Sequence, residues 1–116
     1  MQPQNFSIPA GNDQLVTFTA DSTISGFQSA IIYWRAYTQQ YGVPIAGVAA
    51  VIEKSNVSPL GVTVLESPPS FTVDLIASDT VGLLRNYYHE ATVVDVGGNT
   101  VTVAFGTMTV TETENR

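Results

Sequence analysis

His89 is the only histidine in the chain, so any histidine acting as a general base or metal ligand must be this residue. A Ser-His-Asp arrangement can be written from Ser78, His89 and Asp79, but the sequence contains no strained nucleophile turn of the G-x-S-x-G type. The alternate neighbours of His89 are Tyr87 and Ala91, and such a strand face is typical of a packed, hydrogen-bonded core histidine. We therefore predict no catalytic residues and a protein that is not an enzyme.

Four aspartates lie in predicted loops, where several oxygen atoms could bind Ca²⁺ together. The sequence has no D-x-D-x-D-G loop, and turn formation explains each aspartate equally well. The glycines are scattered, and none lies between a strand and a substantial helix, so a phosphate cradle is not predicted. The chain has no Cys, which excludes thiol chemistry. We expect no cofactor and no metal; the four aspartates are Asp13, Asp21, Asp79 and Asp95.

Charge and length limit the class of protein. The chain has 116 residues, with four basic residues against ten acidic ones and a net charge of −6. That charge would repel a phosphate backbone, so nucleic acid is not expected as a partner. No stretch approaches the roughly eighteen apolar residues of a membrane span. Residues 1–5 show no basic region followed by an apolar run, so a signal sequence is not expected. We expect one domain over residues 1–116, folded in a reducing cytosol.

Alternating apolar residues predict seven or eight short strands and at most one turn of helix. The first six strands are predicted at residues 6–8, 14–19, 29–38, 43–52, 61–66 and 71–75. Ser78, Asp79 and Thr80 then offer N-cap side chains for a turn at residues 81–84. The strand at 29–38 carries large side chains on both faces, so it should be central and covered on both sides. Short strands rich in Val and Thr predict an antiparallel β-sandwich of the immunoglobulin type.

A hairpin over residues 87–116 closes the predicted sandwich. Alternate residues from Tyr87 to Val93 share one face, and residues 97–99 form the turn. Val101, Val103 and Phe105 are expected to point the same way. Because the later apolar residues of this strand lie at even positions, we predict a β-bulge at Gly106.

Several segments occur in the order seen in immunoglobulin-like domains of tailed-bacteriophage virion proteins. They are Ile8-Pro-Ala-Gly-Asn-Asp13, Ile24-Ser-Gly26, Trp34-Arg35, Phe71-Thr-Val-Asp-Leu75 with Ser78-Asp-Thr80, Tyr87 to Asp95, and Gly106-Thr-Met-Thr-Val110. Over nearly its whole length the chain resembles these domains, which are similar to the N-terminal module of upper baseplate and tail-fibre proteins. The chain departs from the family at His89 and Ala91, where an aromatic or large aliphatic residue is usual. There the core should be thinner, or should accommodate a partner.

The resemblance implies a structural protein of the virion, assembled in the cytoplasm of a bacterial host. Such a domain commonly heads a longer fibre, whereas this chain stops at Arg116. We therefore expect a capsid decoration (cement) protein that binds the major capsid protein and stabilises the head. One alternative is a tail, baseplate or head-tail adaptor that attaches fibres. Another is a module that binds host glycans through exposed aromatic residues such as Tyr37 and Tyr41.

An apolar set in the middle of the chain is the predicted contact surface, since it exceeds what one small core needs and aromatic residues favour interface centres. The alternative is that these residues only fill the second sheet. The polar termini, residues 1–5 and 109–116, are expected to form extended arms held by a neighbouring subunit. We expect a homo-oligomer, first of all a trimer, because capsids offer threefold sites. The candidate interface residues are Ile31, Tyr33, Tyr37, Tyr41, Val43 and Ile45.

Overall fold

The computed structural model describes residues 3–19, 30–40, 43–57, 60–65, 70–83, 85–94 and 97–112. Within these residues the chain forms nine strands and one short helix. No helix in this part of the chain is long and apolar enough to cross a membrane. The elements are β1 (Phe6–Pro9), β2 (Gln14–Thr19), β3 (Ile31–Gln40), β4 (Val43–Pro44), β5 (Ile52–Ser55), β6 (Val62–Leu65), β7 (Ser70–Leu75), α1 (Ala77–Thr80), β8 (Arg85–Val94) and β9 (Thr100–Thr111).

The strands form two sheets packed as a sandwich. The larger sheet has the order β1-β9-β8-β3-β4, with β5 also paired to β3, and the smaller sheet has the order β2-β7-β6. The smaller sheet matches strands B, E and D of an immunoglobulin domain, and β9-β8-β3 match strands G, F and C. The predicted immunoglobulin-like β-sandwich is confirmed. The strand count is nine in the described residues rather than seven or eight, and β1 runs parallel to β9 instead of antiparallel.

Strand alternation determines which side chains reach the core. On β2, Val16 and Phe18 are buried while Leu15 is exposed, as the sequence pattern predicts. On β3, the buried residues include Trp34, which is fully enclosed and stacks on Phe18 with ring centroids 6.4 Å apart. Each fully buried large apolar side chain contributes about 1.5–3 kcal/mol relative to an exposed one. Burial of these aromatic rings therefore joins the two sheets.

The predicted strand over residues 43–52 is wrong. Only β4 and β5 are extended, and the chain between them leaves the sheet in a turn where the Val48 amide donates to the Ile45 carbonyl at 3.3 Å. Pro44 cannot donate a ladder hydrogen bond, and Gly47 has a φ of 81°, which few other residues adopt readily. β3 also continues to Gln40, two residues beyond the predicted strand, because Gln39 pairs with Pro44 and Gln40 with Val43 in the β3–β4 ladder.

The helical turn forms four residues earlier than predicted. α1 covers Ala77–Thr80, and the Ile76 amide donates to Asp79 Oδ2 at 2.8 Å. Asp79 therefore caps the helix from within its first turn, where the helix dipole also stabilises an acidic side chain. Thr80 is buried, and its Oγ1 accepts a hydrogen bond from the Gly11 amide at 2.9 Å.

The closing hairpin consists of β8 and β9, with the alternate β8 residues from Tyr87 to Val93 buried as predicted. The bulge is not at Gly106. Ala91 pairs with Ala104 and Thr92 with Thr102, so the extra residue is Val103. After the bulge, Phe105 lies on the opposite face, across from Glu90, which corrects its predicted orientation. Val101 shares the inner side with Val93 but is exposed at the hairpin end.

Candidate functional site

The outer face of the larger sheet, which points away from the smaller sheet, carries a row of tyrosines. Tyr33 and Tyr37 of β3 lie on it together with Ile31, and Tyr88 of β8 pairs directly with Tyr37. Phe105 of β9 lies on the same face. These side chains are partly buried, so the described residues of the chain cover the second face of β3 only in part. They form an aromatic surface on a rigid sheet.

A charged row crosses the middle of this outer face. Arg35 lies between Glu53 of β5 and Glu90 of β8 in the strand register, and its guanidinium pairs with Glu53. The Arg35 Cζ atom also lies 4.8 Å from the centroid of the Tyr33 ring, in a cation–π contact. Burial opposes the charge of Arg35, but the Glu53 hydrogen bond and charge outweigh it and raise the pKa of Arg35. The guanidinium is thus fixed in place and always charged.

Tyr88 is held as a neutral phenol on the same face. Burial, followed by the charge and hydrogen bond of Glu90, raises the pKa of Tyr88 to about 12. Its hydroxyl therefore keeps its proton under ordinary conditions and remains a hydrogen-bond donor. The outer face combines flat aromatic rings with Arg35, and aromatic residues and arginine are both enriched at the centres of protein interfaces.

Residues 43–51, named here the edge loop, form an apolar segment beside this face. Four aliphatic side chains of the loop are between 37% and 57% exposed, and the loop has no charged residue. The Ile45 amide donates to the Thr38 carbonyl at 3.2 Å, and the Val51 amide donates to the Ala36 carbonyl at 2.8 Å. The edge loop is therefore fastened along β3. The four aliphatic residues are Val43, Ile45, Val48 and Val51.

Five of the six predicted interface residues lie on the outer face or the edge loop. Tyr41 lies outside the described residues. Sequence reasoning missed Tyr88, Phe105, Val48 and Val51. The alternation of β8 already placed Tyr88 on the face opposite its buried neighbours. The face of Phe105 could not be predicted, because it depends on the bulge, and no glycine or proline marks the bulge. We name the outer face and the edge loop together the contact surface.

His89 lies in the core, as the sequence predicts. It is fully buried, and the Trp34 indole N–H donates to its Nδ1 at 3.2 Å. Because Nδ1 accepts this bond, the proton of the neutral ring is on Nε2, which donates to the Gln4 carbonyl at 2.7 Å. Burial lowers the pKa of His89 to about 4, even though the Gln4 bond favours the charged form.

Gln4 connects the two sheets through His89, a connection named here the Gln4 bridge. Its amide donates to the Phe105 carbonyl at 2.8 Å in the larger sheet. Its side chain donates to the Thr19 carbonyl at 2.8 Å and accepts from the Thr19 amide at 2.9 Å in the smaller sheet. Gly106 leaves room for this arrangement, since a Cβ there would lie 2.4 Å from the Gln4 oxygen.

Residues 3–5 therefore do not form part of the arm that was predicted at residues 1–5 to reach a neighbouring subunit. Gln4 and Asn5 bind the chain's own β9 strand, where the Thr107 amide donates to Asn5 Oδ1 at 2.9 Å. Sequence reasoning missed Gln4 because a polar terminal residue gives no periodic signal. Residues 1–2 and 113–116 lie outside the described part of the chain, as do Asp21 and Asp95.

The remaining polar candidates have structural partners. Asp79 pairs with Lys54 at 2.8 Å, whereas the partners of His89 are Trp34 and Gln4, so Ser78, His89 and Asp79 do not form a triad. Asp13 accepts from the Ala77 amide at 2.8 Å. Among the described residues, no group of three or more His, Cys, Asp or Glu could hold a metal ion.

Comparison with known proteins finds a likeness in structure. No family model and no curated protein matches the chain. A solved structure of the amphioxus IgVJ-C2 molecule is similar, with 16% sequence identity and a TM-score of 0.35. The match covers 90% of this chain and 54% of that one, so the chain spans about half of the length of the solved molecule. The likeness concerns the immunoglobulin-like fold alone.

Proposed function

We propose that the protein is a non-enzymatic structural protein of a tailed-bacteriophage virion, a capsid decoration protein that binds the major capsid protein through the contact surface. The supporting observation is the edge loop, which presents four exposed aliphatic side chains and no charge on a chain with a net charge of −6. Contiguous exposed apolar surface of this kind marks an interaction site. The sequence resemblance to virion domains supplies the setting.

The contact surface would stabilise a shell by burying apolar area across a seam between capsid subunits. Such burial contributes about 25 cal/mol per Å² before the cost of association is subtracted. Tyr33, Tyr37 and Tyr88 add large area with few rotatable bonds. A symmetric oligomer, first of all a trimer, would join several weak contacts into one strong attachment. The acidic remainder of the surface would keep free subunits soluble.

A binding experiment with capsids tests this proposal. Purified protein is added to capsids that lack it, and bound protein is measured after sedimentation. Val48→Asp places a charge in the edge loop, and we expect it to weaken binding at least tenfold, because an unpaired charge at an interface costs more than about 1.4 kcal/mol. Val81→Asp is the matched control, since Val81 is exposed outside the contact surface and should tolerate the change.

The outcomes separate the alternatives. Saturable binding that Val48→Asp weakens and Val81→Asp does not would support the decoration role, as would a gain in the heat resistance of the capsids. Equal binding of both variants to capsids would show that the edge loop is not part of the binding surface. An absence of binding to capsids, together with particles that lose their fibres when the protein is missing, would overturn the decoration role in favour of a tail adaptor.

The outer face favours a second candidate function, the binding of host glycans. Tyr33, Tyr37 and Tyr88 offer flat rings for stacking on sugars, and Arg35 and Glu90 offer fixed hydrogen-bonding groups beside them. Calorimetric titration of the isolated domain with host polysaccharide tests this candidate. Saturable binding that is lost in Tyr37→Ala but kept in Val48→Asp would support it, and no heat of binding would exclude it.

A further inference from the structure

The described core contains one ionisable imidazole, and it holds the N-terminal strand. We propose that His89 is a pH-sensitive clamp on β1: its neutral ring fixes residues 4–9 against β9, and its protonation releases that segment while the rest of the sandwich stays folded. The proposal rests on the Gln4 bridge and does not depend on the virion role.

The neutral ring is required by the partners of His89. The indole nitrogen of Trp34 can only donate, so Nδ1 must accept and cannot carry a proton. Protonation would place two N–H groups against each other at a distance of 3.2 Å. The bond from Nε2 to Gln4 would survive protonation, but it offsets neither this repulsion nor the loss of hydration.

No charged group inside the described core compensates an imidazolium. The elements packed around the ring contribute Gln4 and Phe6 from the N-terminal segment, Phe18 from β2, Trp34 from β3 and Gly106 from β9. None of these is titratable. On its own strand, the neighbours on the same face are Tyr87 and Ala91, and neither is an acidic residue. A charged His89 must therefore reach water.

β1 is the cover that can move at the lowest cost. It has four residues, lies at the edge of the larger sheet and pairs only with β9 among the described strands. Its Phe6 ring lies 5.3 Å from the imidazole centroid. Release of β1 exposes the fully buried Ile8 and the half-buried Phe6. The other rings around His89 belong to Trp34 on the interior strand β3 and to Phe18 on β2, and moving either strand would disrupt more of the core. Detachment of β1 exposes the Nε2 side of the ring.

The size of the effect follows from proton linkage. With β1 closed, the pKa of His89 is about 4, and in the open state it returns to its ordinary value of 6.5. Protons therefore favour the open state as the pH falls below 6.5, and the effect is complete below pH 4. Between pH 7 and pH 5 the opening equilibrium should rise about 20-fold.

Native-state hydrogen exchange at several urea concentrations tests the proposal. Global unfolding also exposes His89, so pH dependence alone does not separate it from a local release, but urea dependence does. The amides of Gln4, Ala10 and Thr107, which donate across the β1–β9 contact, should exchange through an opening nearly independent of urea. Their protection should fall about 20-fold from pH 7 to pH 5.

His89→Gln is the matched variant, because the glutamine amide can donate and accept in the core but does not titrate. In this variant the local opening should not depend on pH. If His89→Gln does not fold, the wild-type protein still decides the question. Exchange of the three amides only through urea-sensitive global unfolding would overturn the proposal, and so would a local opening that does not change with pH.

Discussion

Gly106→Ala should detach β1 and weaken the whole sandwich, although it adds only one methyl group. The new Cβ would lie 2.4 Å from the Gln4 oxygen, 2.7 Å from the Gln4 carbonyl carbon and 2.9 Å from His89 Nε2. Two of these three atoms belong to the backbone and cannot rotate away, so residues 4–6 must shift. The shift breaks the hydrogen bonds of Gln4 with His89 and with the Phe105 carbonyl.

The magnitude follows from the groups that lose partners. Loss of the bond from the Gln4 amide to Phe105 costs about 1 kcal/mol, and the buried Nε2–H of His89 left without an acceptor costs about 1–3 kcal/mol. Alanine recovers less than about 1 kcal/mol, because it restricts the unfolded chain more than glycine does. We expect a net loss of about 2–3 kcal/mol in the free energy of unfolding.

Urea unfolding followed by the fluorescence of Trp34, the only tryptophan in the chain, measures this loss. Gly47→Ala is the matched control, since a Cβ at Gly47 would have no neighbour within 4 Å and only the φ of 81° opposes alanine. That control should cost about 1–2 kcal/mol and leave the native spectrum of Trp34 unchanged. If Gly106→Ala were as stable as the wild type, β1 would not need the space at Gly106, and the role given to the Gln4 bridge would be wrong.

Two further predictions concern ionisable groups. The lowered pKa of His89 means that the unfolded chain binds the extra proton, so the wild type should lose about 2 kcal/mol of stability between pH 7 and pH 5. Urea titrations at both pH values measure it, and an equal loss in His89→Gln would refute the assignment. Asp79→Ala removes the partner of the mostly buried Lys54 amine and of the Ile76 amide, and should cost about 2–3 kcal/mol. The exposed Glu53→Ala should cost less than about 1 kcal/mol, and equal losses would contradict this ranking.

Local periodicity predicted the parts of the fold in which one strand face is buried. The bounds of β2 agree with the prediction, and those of β7 differ by one residue, because an exposed face alternates with Phe18 and Val73 in the core. The bulge could not be located, since Val103 and Ala104 are both apolar and both buried. The bulge was predicted at Gly106 because glycines often mark an extra residue. Here the glycine instead leaves room for the backbone of Gln4.

The contact surface was predicted only in part, because local composition does not show which apolar residues are exposed. The apolar run from Val43 to Val51 has the composition of a buried strand, and composition alone does not separate such a strand from an exposed loop. The distinction comes from long-range pairing, in which Val51 bonds to Ala36 and leaves the loop outside the ladder. Tyr33 and Tyr37 were predicted because they alternate with core residues within one strand. Tyr88 required the register between β3 and β8.

The position of His89 explains why the N-terminal segment matters to this sandwich. In antibody domains a disulfide joins strands B and F beside a tryptophan on strand C. Here β2, β8 and β3 occupy those places, and the Phe18 ring lies 5.0 Å from the His89 ring, with Trp34 beside both. The chain has no cysteine, and the connection from β8 to β2 runs through His89, Gln4 and Thr19. A disulfide would hold the two sheets together at pH 5 as well as at pH 7. The hydrogen-bonded connection persists only while the imidazole is neutral and β1 is in place, whereas the apolar core joins the sheets at either pH. Acid therefore weakens the junction of the two sheets at β1 first.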